Sequence, residues 1–479
     1  MSKTEKRYFT LDAQKAGKKD AKYLELFNLI AQMEQYDEEV LKPMFKHLSV
    51  DKAYLYDAIL RSMRDYNSKK SRSAQIKEKL MDVKYLYERE LFDLCARRLE
   101  EAKEMAESMG DTVLLLAINK EERRLTRQYR KQDFATKLNQ LQEEGVAHSQ
   151  AMQEEFNFLG IYEDMSKDVV RIAELDAAKK AQLKEKYQTL LEQEEGNYAS
   201  MQATYHYHKS RLLIFQLLGD YEKVHAENLK VIAWWNEHPE YKDEEFFNYV
   251  VDASNFLSVC FRQEKYQNVE QLLAQLQSEQ PSNNHHRRVL FMRVSVFEQV
   301  YCINKGKIEQ VHQMAEAIEN GLKQFSINIS NQKTLTTNMA ILFLIAEKFE
   351  DCLIWGDKVL RISKEAIRED LNVGVYFIKL ICFIMLEDTD GFEKASRAAR
   401  RYLNKIAYGD KEIYLKLIYT FNQLENAPLG EEQSARQSFL QEMEMLQKTK
   451  PLVIGLSQIL MWWAKSRIKK VPIVKMIRG

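Results

Sequence analysis

Phe349-Glu350-Asp351-Cys352-Leu353-Ile354-Trp355-Gly356-Asp357-Lys358-Val359 decides the reading of this chain. Phe349 is followed by a small residue at Cys352, then by Gly356 and Val359, in steps of three, four and three that share one helix face. The pattern recurs at Phe92, Cys95, Leu99, Ala102; at Tyr266, Val269, Leu273, Leu276; at Ile308, Val311, Ala315, Ile318; and at Phe392, Ala395, Ala399, Tyr402. Tyr221, Val224, Asn228 and Val231 make a partial copy. From Tyr221 onward the leading residues are spaced 45, 42, 41 and 43 residues apart, so the period is about 42. Weaker copies begin at Val50, Phe134 and Ala435, and the two-period gap from Phe134 to Tyr221 predicts a degenerate repeat in the charge-rich stretch Glu163 to Glu195.

Each period holds a second apolar helix upstream of the first, as in Phe246 to Phe261, Val289 to Asn304, Thr336 to Ile345 and Val373 to Leu386. Two helices of about 15 to 18 residues and two short turns fill the period. One such hairpin cannot bury its apolar face alone, so neighbours must stack. Chain breakers fall where this register needs them: Pro239 and Pro281 just beyond a second helix, Gly219, Gly306 and Gly391 beside the inter-helix turn, Pro43, Pro428 and Pro451 at boundaries. The expected fold is all-α, an α-solenoid of about ten stacked antiparallel helical hairpins in one continuous array. It divides into N-terminal repeats over 1–160, the degenerate repeat over 161–200, regular repeats over 201–405, and a last repeat with a capping helix and basic tail over 406–479.

Leu218-Gly219-Asp220-Tyr221-Glu222-Lys223-Val224 is similar to the inter-helix turn of a tetratricopeptide repeat, and the run from Tyr266 through Leu273 to Pro281 resembles that repeat's second helix and closing proline. The resemblance covers most of residues 205–405. The family's usual period is about 34 residues, its first-helix Trp and Leu-Gly pair are not evident, and Ile308 replaces the turn aromatic. The resemblance implies a right-handed superhelix whose first helices line a concave wall. Spacing back from the turns then points His206, Lys209 and Gln216 inward on one helix, Ser254, Ser258 and Arg262 on the next, and Arg293 and Asn304 on a third. Together they form a polar, mildly cationic stripe in which Lys209, Arg262 and Arg293 can grip a carboxylate or an acidic peptide.

Composition sets the limits around this picture. Gly at 15 and Pro at 6 are too few for a β-rich chain of 479 residues. The 71 basic and 71 acidic residues cancel, so no global field holds the chain to nucleic acid, and nucleic-acid binding is not expected. Met1 to Asp20 lacks the apolar stretch of a secretory signal, and no window is long enough and apolar enough to span a bilayer. Five scattered cysteines without a CxxC pair read as reduced core residues, and the expected location is cytoplasmic.

Sites of chemistry are sparse. His206 and His208 diverge by about 200° on one helix, and His285 and His286 precede Arg287 and Arg288, so neither pair makes a metal site. Cys95 and Cys352 occupy the small position of the repeat, while Cys260 and Cys302 stand six residues before Tyr266 and Ile308, a packing pattern rather than a nucleophile's. No phosphate loop, nucleophile elbow or HExxH helix occurs, and pairs such as Glu121-Glu122 and Glu194-Glu195 read as solvated faces. No cofactor is expected. Of Trp234 and Trp235, one should face the core and the other a contact surface. Leu452 to Ala464 is nearly all apolar and is followed by Lys465, Arg467, Lys469, Lys470, Lys475 and Arg478; a capping helix is expected, with partner contact or membrane-surface contact as alternatives. The function expected is that of an intracellular protein–protein interaction scaffold binding a peptide or protein segment. The alternatives are a peptide-responsive regulatory sensor acting through a partner and an enzyme with an unrecognised site.

Overall fold

The computed structural model describes the chain apart from residues 2, 16–21, 34–35, 70, 131, 170–174, 193–195, 197, 282, 364–366, 407–410, 429, 450–451, 454 and 479. The described residues form 25 helices and no β-strand, in two compact units, 1–259 and 260–479. This boundary is not among those of the four expected segments. Glu194, Glu195 and Pro451 lie outside the described residues. No described helix is long and apolar enough to cross a membrane.

The first unit contains α1 (Lys3–Lys15), α2 (Lys22–Gln32), α3 (Glu38–Leu41), α4 (Leu48–Ser68), α5 (Arg72–Tyr87), α6 (Phe92–Met109), α7 (Thr112–Gln128), α8 (Phe134–Val169), α9 (Ala177–Lys186), α10 (Gln188–Glu192), α11 (Met201–Leu218), α12 (Tyr221–Glu237) and α13 (Pro239–Glu244). Helix α14 (Phe246–Arg262) runs across the boundary. The second unit contains α15 (Tyr266–Ser278), α16 (Asn284–Lys305), α17 (Val311–Gln324), α18 (Ile329–Ile345), α19 (Phe349–Arg361), α20 (Glu369–Met385), α21 (Thr389–Lys405), α22 (Lys411–Glu425), α23 (Glu432–Thr449), α24 (Leu456–Lys469) and α25 (Lys475–Arg478).

One turn recurs between helices. The backbone N–H of residues 91, 220, 265, 307, 348 and 388 donates to the carbonyl five residues earlier, and the residue before each donor is left-handed. This bond closes a helix by satisfying carbonyls that its last turn leaves open. The left-handed residues are Glu90, Gly219, Glu264, Gly306, Glu347 and Glu387, and the last five are spaced 45, 42, 41 and 40 residues apart; Asp111 and Val471 make the same bond after left-handed Gly110 and Lys470, outside that spacing. Gly391 lies beside this turn, in the first turn of α21, where its N–H meets the capping carboxylate of Asp388 at 2.8 Å.

The helix face picked out by the apolar spacing is the packed face. Cys95, Val224, Val269, Val311, Cys352 and Ala395 are all buried, as are Leu99, Leu273, Val359 and Ala399. Two starts differ from the expected register. Helix α17 begins at Val311 rather than Ile308, and α21 begins three residues before Phe392. Helix α18 is buried on nearly every side from Met339 to Ile345, and α20 from Leu380 to Cys382.

Three features depart from a plain chain of neighbours. Helix α8 runs unbroken for 36 residues, about 54 Å, where the two-helix period calls for a turn. In the first unit, Glu244 accepts from Ser71 Oγ at 2.6 Å and from Arg72 N at 2.9 Å, capping α5 from a position 172 residues away. In the second unit, α24 seats Trp463 against Phe421 and Phe439, with ring centroids 5.9 and 5.6 Å apart. The chain beyond it then crosses the turns between earlier helices. Arg467 pairs with Glu347, Ile473 N donates to Glu347 at 3.3 Å, and Arg478 reaches the Gly306 carbonyl at 2.6 Å and Glu309 at 2.5 Å. The C-terminal segment is therefore a strap over those turns as well as a cover for α23.

Candidate functional site

The predicted stripe begins on α11, and there it turns inward. Lys209 is buried and its ammonium pairs with Asp252 of α14, also buried. Oδ2 of Asp252 accepts two further hydrogen bonds, from Tyr205 Oη at 2.7 Å and Trp235 Nε1 at 3.0 Å. The Lys209 ammonium lies 5.2 Å from the Tyr162 ring centroid and 5.8 Å from that of Tyr205. Lys209 is a core cation already paired within the fold, so it is not the inward grip for an acidic peptide expected from its helix position. Burial, reinforced by the Lys209 charge, pushes the His206 imidazole down to about 4, against an opposite pull from Asp252. His206 is neutral at pH 7.

A second network lies beside the first. Glu227 Oε2 meets His208 Nδ1 at 2.7 Å, and its Oε1 accepts from Arg211 Nε at 2.8 Å, while Arg211 Nη1 donates to the Leu190 carbonyl at 2.7 Å. Burial pushes the Glu227 carboxyl upward, and the His208 and Arg211 hydrogen bonds outweigh it, leaving it below the usual range. Both networks match buried donors to buried acceptors, which locks α11 to α12 and α14 rather than offering a reacting position.

Trp234 and Trp235 are both buried, contrary to the expectation that one marks a surface. Adjacent indoles can both be covered because α12 is overlaid on two sides: Trp234 Nε1 donates to the Met201 carbonyl at 2.8 Å, and Trp235 stacks 5.8 Å from Tyr241.

The rest of the stripe is mixed. Gln216 is half-buried. Ser254 is buried and donates to the Val250 carbonyl at 2.7 Å, Ser258 to the Ser254 carbonyl at 3.0 Å, and Asn304 to the Val300 carbonyl at 2.8 Å, each folding back on its own helix. Arg262 is exposed and Arg293 half-buried. His206, Lys209, Gln216, Ser254 and Ser258 belong to the first unit, and Arg262, Arg293 and Asn304 to the second. The five cysteines are buried free thiols, and burial pushes Cys260 up to about 12 and Cys302 up to about 11, away from thiolate reactivity.

The candidate site lies elsewhere in the first unit, between α7 and α8. A groove of about 550 Å³ is walled on one side by Lys120, Arg123 and Arg127 of α7 and on the other by Gln142, Val146, Ser149, Gln150 and Gln153 of α8. Positions 120, 123 and 127 share one helix face. Asn119 forms the floor, donating from Nδ2 to the Leu141 carbonyl at 2.8 Å. A Cβ at Gly145 would stand 2.8 Å from Asn119 Oδ1, so glycine lets the two helices approach there. The nearby carboxylates are engaged away from the groove. Glu121 meets Arg124 at 3.1 Å, and Lys103 draws Glu122 to 3.7 Å and Glu144 to 2.6 Å. Among the described residues, Lys120, Arg123 and Arg127 have no side-chain ion pair or hydrogen bond.

In comparison with known proteins, no family model, no curated protein and no solved structure matches the chain.

Proposed function

We propose that this chain is a tetratricopeptide-like interaction protein: a scaffold of stacked helical hairpins that binds a protein or peptide segment and does not catalyse. The observation that carries this proposal is the left-handed turn at Gly219, Glu264, Gly306, Glu347 and Glu387, repeated at nearly constant spacing. Equivalent hairpins in series need equivalent turns, and such series serve proteins mainly as extended binding surfaces. The buried ionisable groups support the same view, since Asp252 and Glu227 have internal partners and the thiols are driven away from their reactive form. Five buried free thiols also suit a reducing, cytoplasmic compartment.

The test is affinity capture with the full chain from native lysate, followed by direct titration of the purified partner. A partner that binds the purified chain directly and saturably is the expected outcome. If no recovered protein binds the purified chain, the proposal is wrong.

A further inference from the structure

We infer that the groove between α7 and α8 docks an acidic amphipathic helix of a partner protein. This rests on the interaction function proposed above and gives it a surface and a chemistry. Three cations on one face of α7 repel one another, a modest cost of a few tenths of a kcal/mol per neighbouring pair. No described side chain offsets it, because Lys103 and Arg124 engage the nearby carboxylates elsewhere. An external anion relieves that repulsion.

The spacing selects the kind of anion. Lys120 to Arg127 spans about 10 Å of helix, the distance covered by carboxylates at positions i, i+3 or i+4, and i+7 of a second helix. Arg123 and Arg127 can each hold a carboxylate with two parallel N–H donors. The facing wall adds what a helix can use beyond charge: amides at Gln142, Gln150 and Gln153, and apolar contact at Val146, which is 52% exposed. An amphipathic helix lying in a groove is read through just such anchors one and two turns apart. Nucleic acid fits less well, because among the described residues no aromatic side chain lines the groove to stack a base, and the chain has no net charge.

The experiment uses the full-length chain and a fluorescein-labelled peptide built from Glu-Leu-Ala-Glu-Glu-Leu-Ala repeats, titrated by anisotropy. A Gln-for-Glu peptide and a single-stranded RNA serve as competing probes. Saturable binding of the Glu peptide is expected, weakened about tenfold or more by Lys120→Gln/Arg123→Gln/Arg127→Gln and similarly by the uncharged block Ser149→Trp. Removing three exposed cations of α21, through Arg397→Gln/Arg400→Gln/Arg401→Gln, should change it less than about twofold. Equal losses in the two charge triples, undiminished binding in the α7 triple, or tighter binding of RNA than of the Glu peptide would each overturn the inference. The proposed function is judged separately: a natural partner that still binds the α7 triple at full strength removes the groove assignment and leaves the interaction function standing.

Discussion

Trp235 Nε1 donates to Asp252 Oδ2 at 3.0 Å, so α12 and α11 converge on a single carboxylate of α14. Asp252 is 3% exposed. A carboxylate so deeply placed needs its donors, because an unpaired buried charge costs several kcal/mol.

Lys209→Ala should therefore destabilise the protein by about 3 to 5 kcal/mol, the usual loss when one member of a buried pair is removed. The double variant Lys209→Met/Asp252→Leu should be more stable than Lys209→Ala, since it leaves no charge behind. Urea unfolding monitored by indole fluorescence measures both. A loss below about 1 kcal/mol for Lys209→Ala, the level of an ordinary surface substitution, would show that the pair carries no such weight.

The neighbouring His206 makes stability depend on pH. Its folded pKa is about 4 against 6.5 for the free side chain, so between those values the unfolded chain binds a proton that the folded chain refuses. The contribution is complete above pH 6.5 and is lost as pH falls toward 4. It amounts to at most about 3 kcal/mol. His206→Gln should flatten the stability profile in that window while leaving Lys209 and Asp252 paired. A profile of unchanged slope would mean that His206 titrates alike in both states.

Much of the helical face pattern was legible because the spacing of apolar residues is local. Phe349, Cys352, Gly356 and Val359 needed only helix geometry to be aligned, and Cys352 and Val359 are fully buried. Contacts of high sequence separation leave no such period. Nothing near Ser71 announces Glu244, and nothing in the basic tail announces that Arg467 and Arg478 are held by carboxylates beside the inter-helix turns. The stripe on α11 misled for a related reason. Lys209 looks solvated until Asp252, 43 residues away, is brought to it. The α7 groove has a local signal, since Lys120, Arg123 and Arg127 fall on one helix face and are all basic.

The recurrent turn separates strain from contact. Glu264 is exposed and left-handed, at φ 56°, a conformation that costs a non-glycine residue about 1 kcal/mol or more. Glu264→Gly should stabilise by about 0.5 to 1 kcal/mol after the added freedom of the unfolded chain is counted. Glu347 has the same φ, but its carboxylate accepts from Arg467 and from Ile473 N. Glu347→Gly should yield no such gain and should loosen the strap, seen as faster amide exchange at Ile473. Equal gains in the two variants would mean that the strap contacts contribute nothing.

Protection from exchange should differ most between α9 and α18. Helix α9 has no buried residue, and its sequence Ala177-Ala178-Lys179-Lys180-Ala181-Gln182-Leu183-Lys184-Glu185-Lys186 offers Leu183 as its one large apolar side chain. A helix of ten residues is too short to persist in water on propensity alone, so its population depends on tertiary contact that this face scarcely provides. Its cap, Asp176 accepting from Lys179 N at 2.8 Å, contributes about 1 kcal/mol. Helix α18 is the opposite case: seven consecutive residues from Met339 to Ile345 are buried, and opening any turn exposes side chains packed on several sides. Amides of α9 should therefore exchange by local opening, within seconds to minutes at neutral pH, while those from Leu342 to Ile345 should exchange only with unfolding of the second unit. Mild denaturant sharpens the contrast. Exchange of α9 should be nearly insensitive to it, because little surface is exposed on opening, whereas α18 should respond with the full slope of global unfolding. Protection in α9 equal to that in α18 would mean that its charged face is held as firmly as a buried one.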